Sequence, residues 1–286
     1  MTTSSESSQS ENTYILGHTA AEKVRLIEQD RHFTQAMGGL LPEQSNLSTI
    51  HRVLDVACGP GGWALELAQA YPHMEVVGFD IDAGMIDYAN AQASASGLDN
   101  ASFRVMNALE PFGFPDGFFD LVNARFLVGF LTQKQWPAAI GELLRVCRSG
   151  GIIRLTESEW GGTSSPSYEQ SLNFTILAQQ RVGQGFSVDG RHVGITPYIG
   201  HFLQQAGCRN VQEVGYALDF SAGTPMQKLV CDDLWIAQKL LQPFHVGMGV
   251  ATQEEVDLLY EQIPAEMLSH DFYGSLYMLT AWGSKP

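Results

Sequence analysis

The sequence is poor in basic residues and has no long apolar run. It contains 16 Lys and Arg residues against 31 Asp and Glu residues, which gives a formal net charge of −15. A protein that binds the phosphate backbone of a nucleic acid needs a basic face. The excess of acidic residues therefore argues against a nucleic-acid partner and favours a small-molecule substrate. No apolar run approaches the roughly 20 residues of a membrane span, and no signal peptide is visible. We therefore expect a cytoplasmic protein without a membrane partner.

Cysteines are few and widely spaced: Cys58, Cys147, Cys208 and Cys231 form no CxxC pair. Reduced thiols are therefore expected rather than disulfides or a zinc site. No His, Asp or Glu cluster has metal-ligand spacing either, so we predict no metal site. Residues 1–12 are rich in Ser, Glu and Gln without an apolar core, which predicts a disordered tail.

From residue 13 onward, strand-like and helix-like segments alternate without an internal repeat or a long linker. Helical spacing over residues 14–41 predicts one or two helices before the sheet. Five apolar segments between residues 52 and 157, separated by helical ones, predict a parallel sheet covered on both faces. Beyond them we predict four helices, two of which end near Gln242 and at Pro264, and strands over residues 211–220 and 272–282.

A glycine-rich turn is the most informative feature of the chain. Residues 53–62 read VLDVACGPGG, and residues 76–80 read VVGFD, an apolar run that ends in an acid. This pattern predicts strand, tight turn, helix, second strand and a carboxylate at its tip, by which α/β sheets hold the adenosine half of a cofactor. The pattern alone leaves the cofactor open, because Gly59, Gly61 and Ala64 also satisfy the dinucleotide form and Asp80 could hold an NAD ribose.

Further motifs separate these cofactors. Asp55 lies inside the first strand, where a dinucleotide-binding strand is usually apolar, and the pair Asn107–Ala108 follows the third strand. The segments FPDGFFDLV at residues 114–122 and LRVCRSGG at residues 144–151 lead into the fourth and fifth strands. In this order and spacing the chain resembles the class I S-adenosylmethionine-dependent methyltransferases, of the bacterial small-molecule or natural-product type.

The resemblance covers residues 50–160 in detail and has two departures: Ala57 replaces the usual Gly, and Asn107 replaces the usual Asp. It implies a Rossmann-like α/β fold with a seven-stranded, mostly parallel sheet whose last strand is antiparallel. Helices would cover both faces, with additional N-terminal and inserted lid helices. One methyltransferase domain would span residues 13–286: lid helices at 13–45, a cofactor-binding core at 50–160, and substrate-cap helices with the last strands at 161–286.

The resemblance also implies where S-adenosylmethionine would bind and leave S-adenosylhomocysteine as product. Gly59 and Gly61 would pass close to the methionine part, and Asp80 would accept hydrogen bonds from both ribose hydroxyls. The complete predicted set of cofactor residues is Tyr14, Asp55, Ala57, Gly59, Gly61, Asp80, Ile81, Met85, Asn107, Ala108, Asn123, Ala124 and Arg125.

Catalytic residues are not identified by any motif. The candidates are Tyr14, His18, Arg125, Glu157 and His192. Four of them have an alternative: the two histidines can be solvated or satisfied in the core, Arg125 can be the partner of a nearby acid, and Glu157 can be a cap or ion-pair residue. The N-terminal and inserted helices also offer surface for a homodimer.

The predicted function is transfer of a methyl group, by in-line displacement, to a small-molecule acceptor such as a secondary metabolite. Two other classes stay open. One is a cofactor-binding protein or cyclase of methyltransferase-like fold that transfers no methyl group, because fold does not determine function. The other is an NAD(P)-dependent oxidoreductase, although the chain lacks the Tyr-x-x-x-Lys pair of short-chain dehydrogenases, with no lysine between Lys134 and Lys228.

Overall fold

The computed structural model describes residues 14–17 and 19–286, so the predicted tail at residues 1–12 and the candidate His18 lie outside the described part of the chain. No helix within the described ranges combines the length and the apolar composition that a membrane span requires. The helices are α1 (Ala20–Ala36), α2 (Gly62–Ala70), α3 (Ala83–Ala95), α4 (Trp136–Val146), α5 (Pro166–Arg181), α6 (Thr196–Gln205), α7 (Gln227–Gly247) and α8 (Gln253–Met267). The strands are β1 (Arg52–Val56), β2 (Glu75–Asp80), β3 (Ala101–Val105), β4 (Phe119–Arg125), β5 (Cys147–Ser158), β6 (Gly162–Thr163), β7 (Arg209–Asp219) and β8 (Gly274–Ser284).

The strands form one sheet in the order β3-β2-β1-β4-β5-β8, with β7 on the far side of β8. Strands β1 to β5 are parallel, and β8 runs antiparallel to both β5 and β7. The prediction of a mostly parallel sheet with an antiparallel last strand is confirmed. The strand number is corrected from seven to eight, because the two-residue β6 adds to β8 beyond the end of β5, where Gly162 pairs with Ser275.

Both faces of the sheet are covered, as the apolar strands predict. Along β1, Val53 faces a core formed with α2 and α3, whereas its neighbour Leu54 faces a core formed with α4 and α6. Successive side chains of a strand point to opposite faces, so a strand that is apolar at every position needs helices on both sides.

Four helices, α1, α5, α7 and α8, pack on one another and form a unit that we call the helical cap. Phe33, Leu172, Leu234 and Ile263, one from each helix, belong to the same buried cluster. The described N-terminal segment contributes one helix, α1, and Thr19 caps it: its side chain accepts a hydrogen bond from the backbone N–H of Glu22.

Two helices run further than predicted, because α7 and α8 continue past Pro243 and Pro264. A proline inside a helix has no N–H to donate to the carbonyl four residues earlier. In α8 that carbonyl belongs to Tyr260, and the indole Nε1 of Trp235 in α7 donates to it at 3.0 Å. Packing between the two helices therefore replaces the missing hydrogen bond, which the sequence of α8 alone cannot reveal.

A row of buried polar side chains crosses the middle of the sheet; we call it the polar rung. Asp55, Asn123 and Arg154 occupy paired positions on β1, β4 and β5. The Nδ2 of Asn123 donates to Asp55 Oδ1 at 2.8 Å, and Arg154 Nη1 donates to Asn123 Oδ1 at 2.9 Å. At the end of the rung, Arg154 Nε donates to Glu43 Oε1 at 2.8 Å. Because a guanidinium only donates, Arg154 determines which way the Asn123 amide is turned.

The polar rung is deeply buried. The Arg154 side chain is 0% exposed and that of Glu43 is 3% exposed. Desolvation lowers the pKa of Arg154, and the Glu43 carboxylate opposes that shift. Neither Glu43 Oε2 nor Arg154 Nη2 has a hydrogen-bond partner among the described residues. The rung therefore depends on the pairing of its two charges.

Removal of the guanidinium should strongly destabilise the protein. We expect Arg154→Met to lower the free energy of unfolding by about 3–5 kcal/mol, because the Glu43 carboxylate would stay buried without its partner. Urea denaturation followed by tryptophan fluorescence measures the change. Adding Glu43→Gln to Arg154→Met should recover part of the loss.

The control is Arg31→Met, since Arg31 is 67% exposed beside an exposed glutamate and should contribute no more than about 1 kcal/mol. If Arg154→Met and Arg31→Met lowered the free energy of unfolding by the same small amount, the polar rung would not be important for stability.

Candidate active site

A cavity of about 210 Å³ lies where the carboxyl ends of β1 to β5 meet the helical cap. Its walls come from the turns that follow these strands, from the segment before α1, and from α1 and α5. In open α/β sheets, ligands bind outside the carboxyl ends of the strands. The structure brings these members of the predicted cofactor set to its wall: Tyr14, Asp55, Ala57, Gly59, Asp80, Ile81, Met85, Asn107, Ala108 and Arg125.

The glycine-rich turn forms the floor of the cavity. Ala57, Gly59 and Gly61 all have left-handed backbone conformations, with φ of 55°, 53° and 80°. For an alanine this conformation costs about 1–2 kcal/mol, which explains why a glycine is usual at position 57 in the family that the chain resembles. A Cβ on Gly59 would meet only Leu26 Cδ1, at 3.8 Å, so the backbone at this position stays open to the cavity.

Asp80 is held in place by the turn that it faces. Its two carboxylate oxygens accept hydrogen bonds from the backbone N–H groups of Gly59 and Asp82, each at 3.0 Å. These two bonds orient the carboxylate toward the glycine-rich turn. Nearby, Asn107 Oδ1 accepts from the backbone N–H of Leu109 at 3.0 Å, which shapes the turn after β3.

Three predicted cofactor residues do not line the cavity: Gly61, Asn123 and Ala124. A Cβ on Gly61 would lie 2.7 Å from the Phe103 ring and 2.9 Å from Ala89, so this glycine permits helix packing rather than ligand approach. Asn123 lies within the polar rung, and Ala124 belongs to the core. The backbone at the tip of β4 is thus closed off, and only the last residue of the strand, Arg125, reaches the cavity.

Arg125 unites both of its predicted roles, because it lines the cavity and pairs with an acid. One of its terminal nitrogens donates to Asp30 of α1, and Nη1 donates to Thr34 Oγ1 at 3.3 Å. Asp30 also lines the cavity and lies so close to Gly62 that a Cβ at that position would collide with its carboxylate. An ion pair therefore stands directly beside the glycine-rich turn.

A second charged network joins the start of the described chain to the cap. The hydroxyl of Tyr14 donates to Glu22 Oε1 at 2.6 Å, and Arg25 Nε donates to Glu22 Oε2 at 2.7 Å. Arg25 Nη1 reaches Asp233 of α7 at 2.9 Å. Burial, reinforced by Glu22, raises the pKa of Tyr14 well above its ordinary value. The Tyr14 hydroxyl is thus held in its neutral form as a hydrogen-bond donor to Glu22, which does not favour a role as general base.

Two further catalytic candidates are not among the residues that line the cavity. Glu157 is 0% exposed, and its carboxylate accepts from the backbone N–H of Leu127 at 2.7 Å and, more weakly, from that of Val128 at 3.4 Å. It therefore anchors the 3-10 helix after β4. His192 is exposed on the loop before α6, near Ser187. Neither lines the cavity, so the structure separates both from the other candidates.

Sequence reasoning did not identify several residues of the cavity wall, namely Gln29, Asp30, Phe126, Phe130, Ser158 and Gln179. One signal was available for Gln179. Along α5, Ser171, Thr175 and Gln179 recur at four-residue spacing, and all are buried. A polar stripe on the buried face of a helix indicates specific partners or a ligand.

Comparison with known proteins gives the family. The model of the methyltransferase-domain family matches residues 53–151. The chain is 32% identical over 191 residues to the aklanonic acid methyltransferase DauC of a Streptomyces species. This alignment covers 65% of this chain and 83% of that protein. It is 41% identical over 106 residues to the demethylmenaquinone methyltransferase of Thermus thermophilus, covering 37% of this chain but only 46% of that protein.

Solved structures share the fold. Phosphoethanolamine N-methyltransferase 2 of Haemonchus contortus aligns with a TM-score of 0.52 at 18% identity, covering 89% of this chain and 53% of that one. The YcgJ protein of Bacillus subtilis aligns with a TM-score of 0.51 at 18% identity, covering 88% of this chain and 99% of that one.

The family model and the sequence relatives show that the present chain is a methyltransferase enzyme. It belongs to the class I S-adenosylmethionine-dependent family, so S-adenosylmethionine is its cofactor, and the comparisons give no support to the cyclase, binding-protein or oxidoreductase alternatives.

The buried carboxyl of Glu157 should make stability depend on pH. Burial raises its pKa from 4.5 to about 8, against the opposing effect of the two N–H donors. The folded state thus binds this proton more tightly than the unfolded state, and the resulting stability declines as pH rises from about 4.5 through 8. We expect the urea midpoint of the wild type to fall more between pH 6 and pH 9 than that of Glu157→Gln, which cannot titrate.

Glu75→Gln is the control, since Glu75 is 60% exposed and its substitution should leave the pH dependence of the wild type unchanged. A fall of equal size in Glu157→Gln and in the wild type would contradict the assignment.

Proposed function

We propose that this methyltransferase acts on a small, largely apolar molecule that binds between the ends of β4 and β5 and the helical cap. The supporting observation is the extent of the cavity, which runs from Asp80 and Asn107 at one end to Trp160 and Gln179 at the other. The first end carries the predicted partners of the adenosine group, and the second carries none of them. Two relatives are named for aklanonic acid and demethylmenaquinone, which are small-molecule acceptors, and we extend that class to this chain.

The residues at the first end fit S-adenosylmethionine. Asp80 presents a carboxylate at the tip of β2, as the two hydroxyls of a ribose require, and charge-assisted hydrogen bonds of this kind contribute about 1.5–3 kcal/mol each. The open backbone at Gly59 leaves room for a close approach. Ile81 and Met85 line the cavity beside Asp80, where they would pack on the adenine ring.

The pair of Asp30 and Arg125 fits the methionine end. These two side chains place opposite charges beside the glycine-rich turn, and an amino acid carries an ammonium and a carboxylate of matching sign. We propose that Asp30 receives the ammonium group and Arg125 the carboxylate, so that α1 closes over the bound cofactor.

Positioning accounts for most of the proposed catalysis. The bound sulfonium supplies an electrophilic methyl group, and correct alignment of a nucleophile contributes about 7–11 kcal/mol in favourable cases. Among the described residues of the cavity wall there is no histidine and no lysine. The carboxylates on the wall, Asp30, Asp55 and Asp80, are already hydrogen-bonded within the protein. We therefore propose an acceptor whose nucleophilic atom loses its proton readily, such as an acidic hydroxyl group. His18 stays a predicted candidate for a base, outside the described residues.

Loss of the Asp80 carboxylate should abolish tight cofactor binding. We expect Asp80→Ala to weaken S-adenosylhomocysteine binding at least tenfold, because one charge-assisted hydrogen bond of about 1.5 kcal/mol already corresponds to that factor. Isothermal titration calorimetry measures the affinity, and circular dichroism checks the fold. Asp87→Ala, an exposed change on α3, should bind as the wild type does. Unchanged affinity in folded Asp80→Ala would reject the assignment.

Transfer itself can be tested with a methyl-labelled cofactor. We expect the wild type to transfer label to at least one member of a panel of hydroxyarenes, hydroxyquinones, amines and isoprenoids. Extraction of labelled product into organic solvent, followed by mass spectrometry, measures the transfer. Binding of the cofactor without transfer of label to any member of the panel would contradict the proposed acceptor class.

A further inference from the structure

The end of the cavity remote from Asp80 has aromatic walls. Phe33 of α1, Phe126 and Phe130 after β4, and Trp160 after β5 line it together. The rings of Phe33 and Phe126 meet edge to face, with centroids 5.9 Å apart. Aromatic rings bind flat apolar surfaces and pack well against other aromatic rings. These aromatic walls therefore favour a planar, unsaturated molecule.

The positive charges that line the cavity are already paired among the described residues. Arg25 is held between Glu22 and Asp233. Arg125 is paired with Asp30 and is the group assigned above to the carboxylate of the cofactor. A phosphate or diphosphate substrate would need a cation that is free to bind it. The substrate end of this cavity therefore favours a neutral molecule over a phosphorylated one.

One buried polar side chain faces this aromatic end without a complete set of partners. Gln179 of α5 is 1% exposed and lines the cavity. Its Oε1 accepts a hydrogen bond from Trp160 Nε1 at 3.2 Å. Because an indole N–H can only donate, Oε1 must be the atom that faces Trp160. The Nε2 amino group of Gln179 therefore takes no part in this bond. Among the described residues, the bond from Trp160 is the only side-chain hydrogen bond of Gln179.

Two other polar residues on the same face of α5 bond to side chains of α7. Ser171 donates to Gln238 at 2.6 Å, and Thr175 bonds to His245 Nε2 at 2.8 Å. Gln179 lies one turn further along the same face, beside the cavity. Gln238 Nε2 and His245 Nδ1 also have no partner among the described residues, but neither residue lines the cavity. Gln179 does line it, and because buried amide groups are normally hydrogen-bonded, a ligand there can supply the acceptor.

We propose that Gln179 Nε2 donates a hydrogen bond to a carbonyl oxygen of a neutral, planar aromatic substrate, and that Trp160 positions the amide for this contact. The inference rests on the proposed function and names the substrate class of the same site. Since Oε1 is already engaged, Gln179 offers only N–H groups, and the substrate must present an acceptor there. Gln179 thus determines specificity for aromatic ketones or quinones, and Trp160 is a positioning residue.

Two probes that differ only in the carbonyl group test this inference. They are 6-acetyl-2-naphthol and 6-ethyl-2-naphthol, titrated calorimetrically into the full chain with saturating S-adenosylhomocysteine. We expect the wild type to prefer the acetyl probe by about three- to tenfold, the range expected for one neutral hydrogen bond. In Gln179→Met, which keeps the side-chain volume but has no N–H group, the preference should disappear. Affinity for the ethyl probe should change by less than about twofold, since the apolar contacts are kept.

Trp160→Phe tests the positioning role. It keeps an aromatic wall but removes the indole N–H, so the amide can turn and the preference for the acetyl probe should fall to an intermediate value. The matched control is Gln180→Met, the neighbouring glutamine on α5, which does not line the cavity and should leave the preference unchanged. A third ligand, 2-naphthyl phosphate, should bind no more tightly than 2-naphthol.

Three results would overturn the inference. The first is an unchanged preference in a Gln179→Met protein that still binds S-adenosylhomocysteine. The second is an absence of binding of either naphthol to the wild type at about 1 mM. The third is tighter binding of the phosphate. If Gln179→Met fails to fold, an unchanged preference in Trp160→Phe has the same consequence. Failure of the wild type to bind S-adenosylhomocysteine would instead count against the proposed function, so the two failures are distinguishable.

Discussion

The buried charges of the polar rung are the constraint on which the site depends. Arg154 binds Glu43 on one side and turns the amide of Asn123 toward Asp55 on the other. Each member is held by the next, and removal of one charge leaves another buried without a partner. The rung links the segment after α1 to three adjacent strands of the sheet. It ends at Asp55, a carboxyl on the cavity wall whose pKa burial raises to about 6.

The helical cap is joined to this sheet by charged contacts as well as by packing. Arg125 at the tip of β4 pairs with Asp30 of α1, and Arg25 of the same helix pairs with Asp233 of α7. Because α1 takes part in both contacts, it connects the glycine-rich turn with the far helices of the cap. The cavity therefore has a polar end, formed by strand turns and α1, and an aromatic end, closed by α1, α5 and Trp160.

Much of the cofactor end could be predicted, because its residues follow from local rules. A turn with left-handed backbone conformation needs glycine, and the acid at the tip of β2 ends an apolar run. Both patterns are read from a few residues at the end of β1 and of β2. Local rules also misled. The end of α8 was expected at Pro264, yet Trp235 supplies the missing hydrogen bond from another helix. Glu157 has two interpretations from the sequence, a site residue or a cap, and in the structure its carboxylate accepts a hydrogen bond from the backbone after β4.

By itself, the sequence determined the class of fold, the glycine-rich turn and the position of Asp80, since backbone conformation and hydrophobic period are properties of short segments. Only the tertiary structure decided which polar groups meet. Arg25 and Asp233 are 208 residues apart in the chain, and Gln179 is a cavity residue solely because α5 places it beside Trp160. A polar residue in a sequence shows that a partner is needed, but the packing of distant elements decides whether that partner is another side chain or a ligand.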